Sequence, residues 1–351
     1  QSFIAQIGIR LKKLKYVQLA LFNSEILRYK VNLMAQDTRS TLTEHPSTGI
    51  GEAEDTSAIP GEVNSRVVDY AVLLKPRVMS LVLFTGIAGL VLAPGQIDWL
   101  TGLIAVVCIG VGAGASGAIN MWYDRDIDSQ MERTINRPIP AGRMQPLHAL
   151  WLGIILSVIS VVGMALYVND MSAVLLAITI AYYVFIYTIW LKRRTPQNIV
   201  IGGASGALPP VIGWAAVTGD ISLNSLLLFA IIFIWTPPHF WALALYRSGD
   251  YEKAGVPMMP VVSGVQETKK QMLIYATLLF PITVAPAFTG LASLYAGGLI
   301  GLLSLWFILH AYKVYRTEGY EFPRRMFRFS ILYLFLIFVT LLADHGIKAF
   351  V

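Results

Sequence analysis

From Val78 to the C-terminus the chain repeats one pattern: apolar runs of about 20 residues, each able to cross a hydrocarbon core about 30 Å thick. Backbone groups inside such a core find no water, so these runs must be helices that satisfy their own hydrogen bonds. We read nine spans, at about 77–94, 99–119, 147–168, 172–191, 198–217, 222–245, 272–290, 292–312 and 327–347. The expectation is an all-α, polytopic membrane protein with nine transmembrane helices. Charged residues make up only 14% of the chain, against roughly 25% in soluble domains. The single cysteine, Cys108, lies within an apolar run, which excludes an intramolecular disulfide and a cysteine-rich metal site.

The connections alternate in kind. Pro94–Asp98, Asn169–Met171, Thr218–Ile221 and the turn near 289–291 are short and carry no Lys or Arg. Met121–Pro146, Lys192–Gln197, Arg247–Gln271 and Lys313–Arg328 are polar and hold four, three, four and five Lys or Arg. With Lys75 and Arg77 ahead of the first span, the positive-inside rule places the N-terminus and the basic loops in the cytoplasm of a bacterial inner membrane, with a mitochondrial inner membrane as the alternative. Topology accounts for the formal charge of +6, so the lipid bilayer is the implied partner and no nucleic acid is required.

Residues 1–69 read as an N-terminal extension before a transmembrane domain at 70–351. Gln1–Leu33 carries six Lys or Arg and one acid, whereas Ala35–Glu62 is acidic, rich in Ser, Thr and Gly, and reads as disordered. Met34 opens a stretch resembling an ordinary bacterial start, and we expect the native chain to begin there. The competing reading makes Gln1–Leu33 a membrane-surface helix or a targeting peptide.

Three polar stretches carry the chemistry. In "NMWYDRDID", at the end of the second span, Asn120, Asp124 and Asp128 are spaced by four and share one helical face. Such a row of oxygen ligands suits Mg²⁺, which commonly bridges carboxylates to substrate phosphates. Asp126 points away, toward Arg125 or Arg133. A solvated acidic loop is the competing reading, but acids this dense at the end of an apolar helix argue for function. In "RTINRPIPAGRMQP", Arg133, Arg137 and Arg143 are permanent cations whose forks match phosphate oxygens, and they could equally be ordinary basic-loop charge. "YRSGDYEKAGVPMMP" offers Asp250 as a further metal ligand and Arg247 and Lys253 as phosphate contacts; a surface pair between Asp250 and Lys253 is the alternative.

"NMWYDRDID", "NRPIPAG" and "DYEKAGVPMMP", with "LKPRVMSLVLFT" and "IWTPPHFWALAL", resemble the protoheme IX farnesyltransferases, the heme O synthase branch of the UbiA-type prenyltransferase superfamily. The likeness runs from about Asp69 to Gly346. It implies a nine-helix bundle, farnesyl diphosphate and heme B as substrates, Mg²⁺ as cofactor, and a heme A synthase as a candidate partner. The implied chemistry attaches the farnesyl group to a heme vinyl group with addition of water, giving heme O. Asp124, Asp128, Asp250 and Lys253 are then the catalytic candidates. Asn120, Asp124, Asp128 and Asp250 are the metal set, and Arg125, Arg137, Arg247 and Lys253 the diphosphate contacts. One departure stands out: quinone-making relatives carry a second aspartate four residues before the position of Asp250, and here that residue is Tyr246.

Heme also needs orienting, and histidine is the obvious side chain. His239, following Pro237 and Pro238, lies about two turns from the end of its span. Heme contact by His239, with Tyr246 beside it, and a hydrogen bond from His239 to another helix both remain open; His148 and His310 are the reserve candidates. Trp122, Tyr123, Tyr246 and Tyr251 could steady an allylic cation or simply form an interfacial belt. Within the fold the rival substrate is an aromatic acid or quinone precursor. Outside it, a transporter would place ionisable groups near the midplane, and an oxidase assembly factor would need no aligned ligands.

Overall fold

The structure, a computed structural model, describes residues 67–349. The N-terminal extension, with its expected start at Met34, lies outside them. Among the described residues there is no strand. The helices are α1 (Val67–Leu73), α2 (Pro76–Leu92), α3 (Trp99–Tyr123), α4 (Arg125–Asp128), α5 (Pro146–Tyr167), α6 (Asp170–Ala181) and α7 (Asn198–Ala207). They continue as α8 (Pro209–Thr218), α9 (Leu223–Tyr246), α10 (Ser248–Lys253), α11 (Met259–Val262), α12 (Gly264–Val284), α13 (Leu294–Arg316) and α14 (Glu321–Lys348). Between α6 and α7 the chain winds on as a π-helix, Tyr182–Leu191.

Seven helical stretches among the described residues are long and apolar enough to span a membrane, and the α1–α2 pair, bent by 55°, makes an eighth. The expected ninth, at 272–290, is not reached on those grounds. Helix α12 begins earlier, at Gly264, and spends its first two turns on Glu267, Lys269 and Lys270. Its apolar remainder reaches Val284 and passes into a 3₁₀ turn, Ala285–Ala287, so that by length and composition the spans number up to eight among the described residues.

The short connections share a device. Asp98, Asn169, Ser222 and Ser293 each turn a side-chain oxygen onto the free N–H groups of the helix that follows, which stops and restarts a span within a few residues. At the opposite end, helices open on proline at Pro76 and Pro146, where the missing N–H costs nothing.

Two apolar cores hold the bundle. One joins α9, α12, α13 and α14 through Trp241, Met272, Phe307 and Tyr333; the other joins α3, α6 and α8 through Ile109, Leu176 and Val211. Helices α2 and α8 cross backbone to backbone. A Cβ on Gly89 would stand 1.9 Å from the Pro210 carbonyl oxygen, and one on Gly213 would stand 2.1 Å from that of Gly86. Lipid gives no hydrophobic drive for helix association, so this closeness supplies the dispersion contact instead.

Candidate active site

The four-residue spacing survives the end of α3. The Asp124 N–H donates to the Asn120 carbonyl at 2.9 Å and the Asp128 N–H to the Asp124 carbonyl at 2.8 Å, so the helical register carries through the cap into α4. Asn120, Asp124 and Asp128 are therefore buried together, at 3%, 0% and 2% exposure. Asp126, on the other side, has 58% of its side chain exposed.

Two buried carboxylates need compensation, and each receives a cation, Asp124 from another segment and Asp128 from its own loop. The Lys192 ammonium, one residue beyond the π-helix, donates to Asp124 Oδ2, which also accepts from Asn120 Nδ2 at 2.6 Å. Arg137, fixed before Pro138, donates to Asp128 Oδ2 at 2.5 Å. Thr134 holds the Asp128 carbonyl at 2.9 Å. Asn120 Nδ2 reaches Thr188 Oγ1 at 3.3 Å, joining α3 to the π-helix. The Asn120 amide oxygen accepts from Lys75 Nζ at 2.9 Å.

Lys75 sits between α1 and α2 at φ 51°, ψ 53°, the one non-glycine residue with positive φ among those described. Left-handed backbone at a lysine is strained, and such strain concentrates where function needs it. Sequence reasoning read Lys75 and Lys192 only as topological charge and missed Thr188. The π-helix was equally invisible: its i→i+5 bonding, seen where the Lys192 N–H meets the Tyr187 carbonyl at 2.9 Å, sets the turn from which Lys192 departs. Gly202 leaves the gap the Tyr187 ring fills, since a Cβ there would lie 2.1 Å from it.

Asp126 was expected to face Arg125 or Arg133, and its partner is Arg193 instead. Both Arg193 terminal nitrogens reach the carboxylate at 2.7 Å, while Arg125 folds back onto the Trp122 carbonyl at 2.8 Å. The Arg193 fork holds the Asp126 carboxyl below the usual range. Arg193 also lies over the Tyr123 ring, Arg125 over Trp122 and Arg324 over Tyr246, at 4.8, 5.7 and 5.4 Å from the ring centres. Three of the four aromatic candidates thus carry a guanidinium on their face, and Tyr251 is buried among Ile127, Met131 and Val256.

The second loop is held more loosely. Arg247 contacts Glu132 at 3.2 Å and Asp250 at 3.4 Å, so the i,i+3 pair is Arg247–Asp250 and Lys253 stays exposed. Arg247–Glu132 ties this loop to the first, and Tyr251, Val256 and Met258 pack with Ile127 and Met131. Among the described residues no three His, Cys, Asp or Glu side chains converge as a metal site, so Asp250 does not join Asp124 and Asp128 in a preformed cluster.

His239 is buried between the rings of Trp235 and Phe327, with ring centres at 4.3 and 4.7 Å. Its Nδ1 pairs with Ser330 Oγ of α14 at 2.6 Å, and the Trp235 indole donates to the Ser330 carbonyl at 2.9 Å. The structure therefore supplies the interhelical partner that the structural reading required. His148 is exposed in the first turn of α5, and His310 bonds within its own helix to the Trp306 carbonyl.

A model of the UbiA prenyltransferase family matches residues 82–339. This chain belongs to the UbiA prenyltransferase family. It is 55% identical to the protoheme IX farnesyltransferase of Parvibaculum lavamentivorans, over 85% of this chain and 95% of that one. It is 59% identical to the Agrobacterium fabrum protein of the same name, over 79% and 89%. Among solved structures, a digeranylgeranylglyceryl phosphate synthase shares the fold at TM-score 0.67 and 17% identity, over 80% of this chain and 98% of that one. A UbiA homolog from Archaeoglobus fulgidus bound to GPP and Mg²⁺ does so at TM-score 0.58 and 15% identity, over 78% and 99%.

A divalent metal fits this UbiA-family site in its donor chemistry. Asp124 Oδ1 is buried without a hydrogen-bond partner among the described residues, and an Arg193 terminal nitrogen stands 3.6 Å from it. A hard ion such as Mg²⁺ takes oxygen ligands and completes its shell with substrate phosphates and water, so one or two carboxylates suffice.

Proposed function

We propose that this chain transfers the farnesyl group of farnesyl diphosphate to a vinyl group of heme B, with addition of water, giving heme O and diphosphate. The similarity to protoheme IX farnesyltransferases across nearly their whole length carries this reading. The site is compatible with it, because the buried acids Asp124 and Asp128 stand beside the cations Lys192 and Arg137 at the end of apolar helices. An aromatic acid or quinone precursor remains the weaker alternative, and the missing aspartate at Tyr246 counts against it.

Mg²⁺, held by Asp124 and Asp128 with Asp250 from the second loop, would supply charge against the departing diphosphate. Lys75, Arg137 and Lys192 neutralise the same oxygens, with Arg247 and Lys253 closing from the other loop and Arg125 at the rim. The C1–O bond breaks, diphosphate keeps the electron pair, and the allylic cation is attacked by the vinyl π-electrons. Water then adds at the carbon next to the ring and loses a proton. Until that step the apolar cores keep water from the cation, and the Tyr183 and Tyr187 rings, 5.3 Å apart beside Thr188, offer it π-faces.

We place the basic loops in the cytoplasm of a bacterial inner membrane, so that a cysteine at Ser129 is labelled from inside and one at Asp220 from outside. The product is the substrate for a heme A synthase, a candidate docking partner. The deciding experiment supplies heme B and farnesyl diphosphate to membranes with and without this chain. A hydroxyethylfarnesyl heme, identified by mass, is expected only with it; a prenylated benzoate in place of that product would transfer the reading to the quinone branch.

A further inference from the structure

A second polar feature lies apart from the aspartates, where the end of α9 meets the start of α12 and the α13–α14 turn. A cavity of about 250 Å³ opens there, lined by Leu245, Val265, Lys269, Glu318, Tyr320 and Pro323. Its distinctive member is Lys269, at 5% exposure. Lysine is almost never this buried without an acid beside it. Yet Lys269 makes no ion pair among the described residues; its only bond is to the Thr317 carbonyl at 2.6 Å. Glu318 shares the cavity and is exposed, and Glu267, two residues before Lys269, pairs with Lys270 at 3.9 Å. Thr317 takes one bond from the Lys269 nitrogen, which lines a space whose apolar walls are Leu245, Val265 and Pro323.

We propose that this cavity is an oxyanion subsite for an amphipathic ligand, with the Lys269 ammonium taking a carboxylate or phosphate oxygen while Leu245, Val265 and Pro323 cover an apolar body. Two sources fit that chemistry: a propionate of the heme substrate, which rests on the farnesyl-transfer reading above, and the phosphate of an anionic lipid at the membrane surface. The bond to Thr317, the C-cap of α13, also steadies a helix terminus. A role confined to that cap is the outcome that would sink the proposal.

The test compares heme B with its dimethyl ester, whose propionates are masked, on purified protein, and titrates phosphatidylglycerol against phosphatidylcholine with thermal stabilisation as readout. Wild type and Lys269→Gln are measured in parallel, because glutamine keeps a donor for the Thr317 carbonyl and removes the charge. A propionate site predicts that wild type prefers the free acid by about tenfold, and that the variant loses this preference while binding farnesyl diphosphate normally. A lipid site predicts stabilisation by phosphatidylglycerol alone, again lost in the variant. If wild type distinguishes neither pair, the subsite is wrong whether or not the variant folds. Heme farnesylation by wild type, measured alongside, keeps that failure separate from failure of the proposed activity.

Discussion

The two motif loops of this site are made of the same residue types and held in different ways. In the first, Asp124 and Asp128 are buried and each is matched by a cation, Lys192 from beyond the π-helix and Arg137 from the same loop. In the second, Asp250 has only Arg247 at 3.4 Å, a cation it shares with Glu132, and Lys253 is exposed. Burial makes the first arrangement obligatory, since an uncompensated charge there would be costly. The second is looser at its cation, since the Arg247 side chain is 38% exposed and divides its contacts, whereas the Asp250 side chain is 11% exposed. The first loop is thus preorganised by the fold, and the second is free to be organised by what binds.

The largest effect expected from that contrast is at Asp124. Asp124→Asn should lower turnover by two or three orders of magnitude, as removal of a preorganised electrostatic contact does, and should also lower the melting temperature by leaving Lys192 without its acid. Asp250→Asn should cost about tenfold in turnover, in the range of one charge-assisted hydrogen bond, and leave melting unchanged. Equal losses of activity at both positions would break the comparison and make the loops one unit in the working enzyme.

His239→Ala sharpens it from a third side. With Ser330 as its partner, its removal should destabilise the protein by about 1–3 kcal/mol. Heme and farnesyl diphosphate binding should then weaken together, in step with the melting temperature. A selective loss of heme affinity at unchanged melting would restore the ligand role.

The smallest effect is expected at Asp126. Its pairing with Arg193 holds the carboxyl below the ordinary range, so whatever the pair contributes is present above the unfolded carboxylate pKa of about 3.9 and fades as pH falls through the folded value. Asp126→Asn should therefore leave turnover at neutral pH within about twofold of wild type and flatten the acid limb of a melting-temperature profile. A loss at neutral pH as large as that of Asp124→Asn would remove the distinction between the two faces of α4.

What could be read in advance followed range. Asn120, Asp124 and Asp128 are four apart, and helical periodicity alone puts them on one side. Arg137 is nine residues from Asp128, but the other partners lie far along the chain: Lys192 is 68 residues from Asp124 and Lys75 is 45 from Asn120, and no local rule selects them from the other basic loop residues. Span positions were visible because apolarity is summed over many residues. The shortfall at α12 arose because its apolar run was read without the charged turns that begin the same helix. For His239, the sequence left two roles open, and the partner that the interhelical role requires, Ser330, is 91 residues away.

The π-helix from Tyr182 to Leu191 also limits which lengths of chain this site tolerates. Winding five residues into a turn otherwise closed by four amounts to a surplus residue absorbed within the span. Deleting a residue from this stretch would let it relax to α-helical winding, at about 100° and 1.5 Å per residue. Lys192 would then leave the span close to its present side, because the residue lost is the surplus one. A deletion in α6, which has no surplus to give up, would instead turn Lys192 by about 100°, so a chain that keeps its hydropathy and every named side chain could still present its first aspartate without a counter-charge.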